Sequence, residues 1–201
     1  MVIREYSPAD ERGWLRCRVV SFLDCSYWND VKTAKETYSH PSVSLVAEDY
    51  GQIIGLIDVE LDSDDLSYTD RGRGAVLWHM AVLPEYRRQG VAALLWQEAK
   101  KRLLAAGAQY CELWTQEDEA ANRFYRSVGF EQQNENTWIR CYARWADACK
   151  LLDQEKIGSI YGAEELIFQA APECKEELKV ICYRIDEVRL YAKVLARGET
   201  K

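Results

Sequence analysis

The chain is poor in the residues that build metal centres and disulfide scaffolds. It has only two histidines, and its seven cysteines are an odd number with no C-x-x-C pair. A zinc site or a disulfide framework therefore fits poorly, no metal is expected, and reduced thiols in a cytoplasmic setting are the default. No run of about 18 apolar residues occurs, so no membrane partner is expected. The first residues, M-V-I-R-E-Y-S-P-A-D, lack the apolar core of an export signal. Positive charge is in deficit as well. A formal net charge of -7 argues against a nucleic-acid partner. Neither G-x-x-x-x-G-K-[ST] nor G-x-G-x-x-G is present, which removes two common phosphate-loop signatures. No internal repeat or low-complexity segment stands out.

What remains is a chain able to bury a core. At 201 residues and 48% hydrophobic it is long enough for one domain and an appendage, and too apolar for disorder. Its organising stretch is V-L-W-H-M-A-V-L-P-E-Y-R-R-Q-G-V-A-A, residues 76–93. Val76 to Leu83 is almost wholly apolar and is bounded by Pro84, as a strand buried on both faces would be. Arg87-Arg88-Gln89-Gly90-Val91-Ala92 is a basic turn with one glycine. Ala92, Leu95, Trp96, Ala99, Leu103 and Ala106 then recur at helical spacing, and Gly107 supplies the stop. A strand that runs through a turn into a helix leaves the first helical N–H groups unpaired, at the positive end of the macrodipole. A phosphate is the natural occupant. Small residues at 90, 92 and 93 let it approach, and Arg87 and Arg88 add mobile positive charge.

The pattern R-x-x-G-x-A after V-x-P-E-Y resembles the pyrophosphate-binding motif of the GNAT N-acetyltransferase superfamily. N-R-F-Y-R-S-V-G-F, about one helix and one strand later, strengthens the resemblance. It covers roughly residues 2–145 and implies an α/β GNAT acyltransferase fold: a mixed central β-sheet flanked by helices, with a C-terminal α/β extension. It implies acetyl-CoA as co-substrate, its diphosphate held at Arg87, Arg88, Gln89, Gly90, Val91, Ala92 and Ala93. The pantetheine arm would pair with the main chain of Met80, Ala81 and Val82, with the Val82 N–H as oxyanion donor.

In chain order, residues 2–6 read as a strand. Ser7-Pro8-Ala9-Asp10 reads as a helix start, with Leu15, Val19 and Phe22 as the apolar face. Asn29-Asp30 opens a second helical segment that His40-Pro41 ends. In the family the corresponding stretch walls the acceptor site. Trp14, Tyr27, Trp28 and Tyr38 are candidates for that wall, though each taken singly reads first as a core aromatic. Val43–Glu48 and Ile53–Leu61 form a hairpin about residues 49–52, and Gly55 marks a bulge or a close backbone approach. Residues 62–74 form a long polar loop, either functional or simply solvated. Tyr110–Thr115 is the next strand, and strand–helix–strand at this spacing is a parallel crossover. Asp118–Val128 is a short helix with Ala121, Phe124, Tyr125 and Val128 on one face and Gly129 as its stop. Phe130 and Thr137–Tyr142 continue in strand. Beyond that, 145–156 reads as a helix, and Lys179–Ile185 and Val188–Leu195 as two β runs around Asp186-Glu187.

Acetyl transfer needs a neutral amine, a polarised carbonyl and a proton for the departing thiolate. The resemblance puts Tyr125 in the acid's place; otherwise it is a packing tyrosine. Asp118 stands where the family often has asparagine in contact with the cofactor. An ionised carboxylate cannot donate, so Asn122, one turn later, is the substitute candidate. The base is hard to place. The acceptor-facing positions of the central strand match Val76 and Trp78, both apolar. His79 has the opposite parity and reads as a buried structural histidine. Glu112 misses the family's common acidic position, which falls on Leu113. Glu60, with Asp58 on the same strand face, is left as a base acting through water, against the plain alternative of a solvated charged pair. Cys111 reads as a small buried hydrophobe.

The expected division is 1–145 for the transferase and 146–201 for an extension that covers a sheet edge or makes a homodimer contact. The implied function is N-acetylation of a small-molecule or peptide primary amine by direct attack in a ternary complex. Its rival is a non-catalytic acyl-CoA-binding module of the same fold.

Overall fold

The computed structural model describes residues 1–68, 71–149 and 164–195. They divide into two compact units. One takes in residues of Met1–Leu113, Arg123–Glu131 and those from Tyr191 onward, and the other Trp114–Asn122 and Gln132–Leu190.

In the first unit the strand order is β1 (Val2–Glu5), β2 (Ser42–Asp49), β3 (Gln52–Leu61), β4 (Ala75–Val82) and β5 (Tyr110–Thr115). The first three pairings are antiparallel. β4 and β5 pair in parallel at Val76↔Glu112, as the crossover reading requires. The β2–β3 hairpin turns on Tyr50 and Gly51, both left-handed at φ 45° and 78°. Positive φ at both central residues suits the right-handed twist of the flanking strands. Helix α2 (Val91–Ala105) buries Val91, Leu95, Trp96, Ala99 and Leu103, and Gly107 ends it in the left-handed region at φ 86°. Gly55 on β3 is the close approach expected there. A Cβ at this position would stand 3.0 Å from Val91 Cγ1 and 3.1 Å from Leu95 Cδ1.

Two expectations in this unit are corrected. Helix α1 (Glu11–Phe22) buries Trp14, Cys17, Arg18 and Ser21, while Leu15, Val19 and Phe22 are only half-buried. The inward stripe is one step off because it carries a fully buried guanidinium, which Asp30 neutralises. The helix expected over 29–40 is absent, and the segment is made of turns, bends and irregular chain. Contacts from distant residues hold it: the ion pairs of Arg18 with Asp30 and Asp58 with Lys35, and the hydrogen bond between His79 and Glu36. Local helical propensity is weaker than such contacts.

In the second unit the order is β8 (Cys182–Val194), β6 (Glu131–Arg144) and β7 (Glu165–Ala170). β6 and β7 run antiparallel from Ile139↔Ala170 to Arg144↔Glu165. The 145–156 helix is present only as α4 (Trp145–Ala148), and residues 150–156 lie outside the described ones. The two β runs around Asp186-Glu187 are one continuous strand, β8. The acids do not break it because each pairs two residues along the strand, Asp186 with Arg184 and Glu187 with Arg189. Side chains two apart share a face of a strand. Neither β7 nor the short helix α5 (Lys175–Leu178) was anticipated.

Candidate active site

The turn between β4 and α2 has the geometry of an anion cradle. Pro84–Tyr86 form a 3-10 turn. Arg88 and Gly90 are both left-handed, at φ 62° and 84°. Gly90 is the N-cap of α2 and no side chain caps the helix; the ladder begins with the Leu94 amide donating to Gly90 O at 3.0 Å. The amides of Val91, Ala92 and Ala93 therefore open the helix without a side-chain acceptor. Nothing lies within 4 Å of a Cβ built on Gly90, so glycine is required there by backbone conformation and not by crowding.

The two arginines have different jobs. Arg87 donates to Ser21 O at 2.8 Å and Val82 O at 3.3 Å and faces Asp24 at 3.4 Å, tying the turn to the end of α1. Arg88 is exposed and has no ion pair or hydrogen bond among the described residues. It is the mobile cation of the turn. Gln89 donates its side-chain amide to Glu85 O at 2.9 Å, which closes the turn internally.

Met80, Ala81 and Val82 lie on β4 opposite Ile57, Leu56 and Gly55 of β3. In an antiparallel pair, alternate residues direct their amide groups away from the partner strand. That outer edge of β4 is available for a ligand strand beyond the single β4–β5 register point. Tyr125, on α3 (Glu119–Ser127), is buried. Its ring packs against Phe124, Phe130 and Tyr191 at centroid distances of 5.6, 5.9 and 6.3 Å. Tyr125 is thus a packed ring with a hydroxyl, compatible with both of its sequence readings.

In the second unit Asp118 Oδ1 accepts the Ala121 amide at 2.9 Å. Aspartate stands there as a helix N-cap. Asn122 spends both amide hydrogens locally, on Gln116 O and Asp118 O, each at 2.7 Å. Only its Oδ1, buried and without a partner among the described residues, remains to meet a ligand donor.

The acids of β3 are not solvated. Glu60 is buried. It accepts from the Trp78 indole at 2.9 Å, the His40 amide at 3.1 Å and the His40 ring at 3.3 Å. Burial alone would push its carboxyl up; the hydrogen bonds from Trp78, His40 and Ser63 outweigh it and hold the group below its ordinary value. Both oxygens are engaged, so Glu60 serves as a clamp rather than an open base. Asp58, also buried, accepts from Trp14 Nε1 at 3.0 Å and faces Lys35 Nζ at 2.9 Å. Glu112 is buried and accepts the Ser67 amide at 2.7 Å. Burial raises its carboxyl, against the opposing hydrogen bonds of Ser67 and Tyr68. Cys111 is a buried thiol that burial also raises.

His79 is buried, as the sequence reading has it, but the parity argument behind that reading does not hold. The β3–β4 ladder slips after Asp58: Asp58 faces His79, but Val59 faces Leu77. Trp78 is the extra residue, and a one-residue bulge reverses the alternation beyond it. Parity counted along β4 therefore does not tell which side His79 takes. Its ring meets Trp14 of α1 edge-on at 5.7 Å, and Nε2 bonds Glu36 Oε2. Of the aromatic candidates, Trp14 is fully buried and Trp28 exposed, while Tyr27 packs on Phe22 at 5.5 Å. Tyr38 has its ring 4.9 Å from Lys35 Nζ.

Residues 3–130 match the model of the acetyltransferase (GNAT) family, and the chain belongs to that family. Its class is that of the acetyl-CoA-dependent N-acetyltransferases. The acetyltransferase SG1711 of Sodalis glossinidius is 28% identical over 124 residues, 60% of this chain and 78% of the relative. The fold is also that of the ribosomal-protein-S18-alanine N-acetyltransferase of Escherichia coli, with 14% identity, a TM-score of 0.54, and 100% of this chain and 97% of that one covered. The PaiA N-acetyltransferase of Thermoplasma acidophilum, solved with coenzyme A, shares it too, with 19% identity, a TM-score of 0.55, and 67% and 92% covered.

Proposed function

We propose that the protein moves the acetyl group of acetyl-CoA to a primary amine of a small molecule or peptide, by direct attack while both substrates are bound. The observation that carries this reading is the uncapped start of α2 behind the left-handed Arg88 and Gly90. It presents unpaired amides behind Gly90 of the R-x-x-G-x-A motif and, beside the motif's tied Arg87, the unpaired guanidinium of Arg88. A diphosphate satisfies such a site by charge-assisted hydrogen bonds and by the helix field. Coenzyme A bound to the Thermoplasma relative agrees with the choice of ligand.

With the diphosphate there, the pantetheine follows the outer edge of Met80–Val82, and the Val82 N–H polarises the thioester carbonyl. Tyr125 protonates the departing sulfur. Asp118 stays outside the contact set, because its carboxylate caps α3, and Asn122 contributes only its unpartnered Oδ1. Residues 1–145 carry the reaction, and 146–201 are an extension without assigned chemistry.

The test is thiol release from acetyl-CoA across a panel of polyamines, aminoglycosides, amino acids and peptides with free N-termini. Calorimetry with CoA and acetyl-CoA runs beside it. Release with one amine class supports transfer. Binding without release from any amine supports a non-catalytic acyl-CoA-binding module, and no CoA binding removes both readings.

A further inference from the structure

The two acids of β3 are occupied, and one imidazole is not fully so. Glu60 accepts hydrogen bonds on both oxygens, Asp58 accepts from Trp14 on one and pairs with Lys35 on the other, and Glu112 accepts the Ser67 amide and keeps its Oε2 buried without a hydrogen-bond partner among the described residues. His79 has one engaged ring nitrogen and one open one. Its Nε2 meets Glu36 Oε2, and Nδ1 has no partner among the described residues. An ionised carboxylate only accepts hydrogen bonds, so the proton shared with Glu36 sits on Nε2. The lone pair is then on Nδ1. The Trp14 edge at 5.7 Å holds the ring plane. His79 immediately precedes Met80–Val82, the stretch proposed to hold the thioester arm.

We infer that His79 is the base that takes a proton from the acceptor ammonium at Nδ1, and that Glu36 is the residue positioning its imidazole. The inference rests on the amine-transfer reading above. It assigns to the 29–40 segment a part in the chemistry, since that segment supplies Glu36. Lys32 holds Glu36 in turn, with Nζ 2.6 Å from Oε1. The hydrogen bond from His79, and then the one from Lys32, pull the Glu36 carboxyl down to about 2, so it is ionised throughout the working range. The charged groups around the imidazole are Glu36 from this segment and Asp58, its ladder partner on β3. Lys32 and Lys35 stand behind those two carboxylates, and Arg18 of α1 lies 5.9 Å from the Trp14 ring.

The step balances as follows. The acceptor ammonium gives one proton to His79 Nδ1, directly or through one water. The freed nitrogen lone pair attacks the thioester carbonyl carbon, forming the C–N bond. The C–S bond breaks, and sulfur leaves with its electron pair and takes the Tyr125 hydroxyl proton. The second proton shed by the attacking nitrogen restores Tyr125. His79 returns its proton to solvent. The net products are an amide, a free thiol and one proton.

The experiment compares two acceptors of similar size in thiol-release assays at pH 7.5: propylamine, which is an ammonium there, and 2,2,2-trifluoroethylamine, which is already neutral. His79→Gln is expected to lower kcat about a hundredfold with propylamine and less than about fivefold with the neutral amine. Glu36→Gln is expected to lower kcat with propylamine about tenfold, to displace the acidic limb of the pH profile, and to leave KM for acetyl-CoA unchanged. Equal losses with both amines, or no loss, with acetyl-CoA still bound, would overturn the inference and leave the transferase reading standing. A wild-type protein that binds acetyl-CoA yet transfers to neither amine counts against both. Nitrogen-15 NMR then tests the dyad without any acceptor. The protein has only two histidines, so His40→Gln leaves a single imidazole to observe. A neutral Nε2–H tautomer that becomes mixed in Glu36→Gln supports the assignment, and an Nδ1–H tautomer sinks it.

Discussion

Lys35 Nζ stands 2.9 Å from Asp58 Oδ1, and both side chains are almost wholly shielded from water. The rings of Tyr38, Tyr6 and Trp14 surround the ammonium at 4.9, 5.0 and 5.6 Å, and Ser44 Oγ accepts from it at 3.2 Å. The pair fastens the 29–40 segment to the sheet. An aromatic box favours a cation by the field of the ring faces, and the carboxylate neutralises what burial would otherwise penalise.

Breaking this pair should cost far more than breaking an exposed one. Lys35→Met leaves the Asp58 carboxylate buried and unpaired, with an expected loss of about 3–5 kcal/mol. The double variant Lys35→Met/Asp58→Asn removes that charge and should recover most of the loss. Urea unfolding midpoints at constant slope measure both. A single variant as stable as the wild type would show that the pair is solvated.

At the cofactor turn, strain and charge separate cleanly. Gly90→Ala meets no neighbour, so its penalty is that of a left-handed alanine, about 1 kcal/mol. Arg88→Ala should leave the unfolding midpoint unchanged and weaken CoA binding about tenfold, a charge-assisted contact at the weak end of its range. The loss should shrink in high salt. Arg87→Ala should instead lower stability, because its guanidinium is spent on Ser21 O and Val82 O. Calorimetry with CoA at two salt concentrations distinguishes these outcomes.

Tyr125→Phe keeps the ring among Phe124, Phe130 and Tyr191 and removes only the hydroxyl. If the hydroxyl protonates the leaving sulfur, kcat should fall about a hundredfold while KM for acetyl-CoA changes little. A purely structural tyrosine would show its loss in the unfolding midpoint and leave kcat intact.

Stability should depend on pH through two carboxylates of opposite sign. Glu36 is depressed to about 2 by its hydrogen bonds from His79 and Lys32. Its contribution is present above the unfolded value of about 4.3 and is lost as pH falls from there towards 2. In Glu36→Gln that part of the acid limb should vanish. Glu112 is raised by burial. Its neutral form is favoured in the fold, so its contribution is full below the unfolded value and fades as pH rises through the folded one. Glu112→Gln should flatten that decline. Unfolding free energies measured from pH 3 to 8 check both signs.

The hairpin, the β4–turn–α2 unit, β5 and α3 were legible because each is written in local chemistry. Tyr50-Gly51, Gly90, Gly107 and Gly129 punctuate them, and α2 repeats its apolar residues at helical spacing. The candidate site was legible to the same depth: Gly90 and Arg88 lie in one short window, so their geometry follows from neighbours in the chain. The inward face of α1 was not, because it carries Arg18 and Ser21 and so does not show as an apolar stripe. The continuity of β8 was missed because Asp186-Glu187 resembles a turn until Arg184 and Arg189 are seen to neutralise it.

The sequence by itself determined the family, the turn proposed to hold a phosphate and the order of strands and helices around it. These rest on contacts between residues close along the chain. Only the tertiary structure decided which acids are occupied, which arginine is unpaired and what the His79 ring touches. Those answers depend on Lys35 finding Asp58, Glu36 finding His79, and one extra residue at Trp78 shifting a ladder. Pairings over such separations leave no periodic trace in the chain.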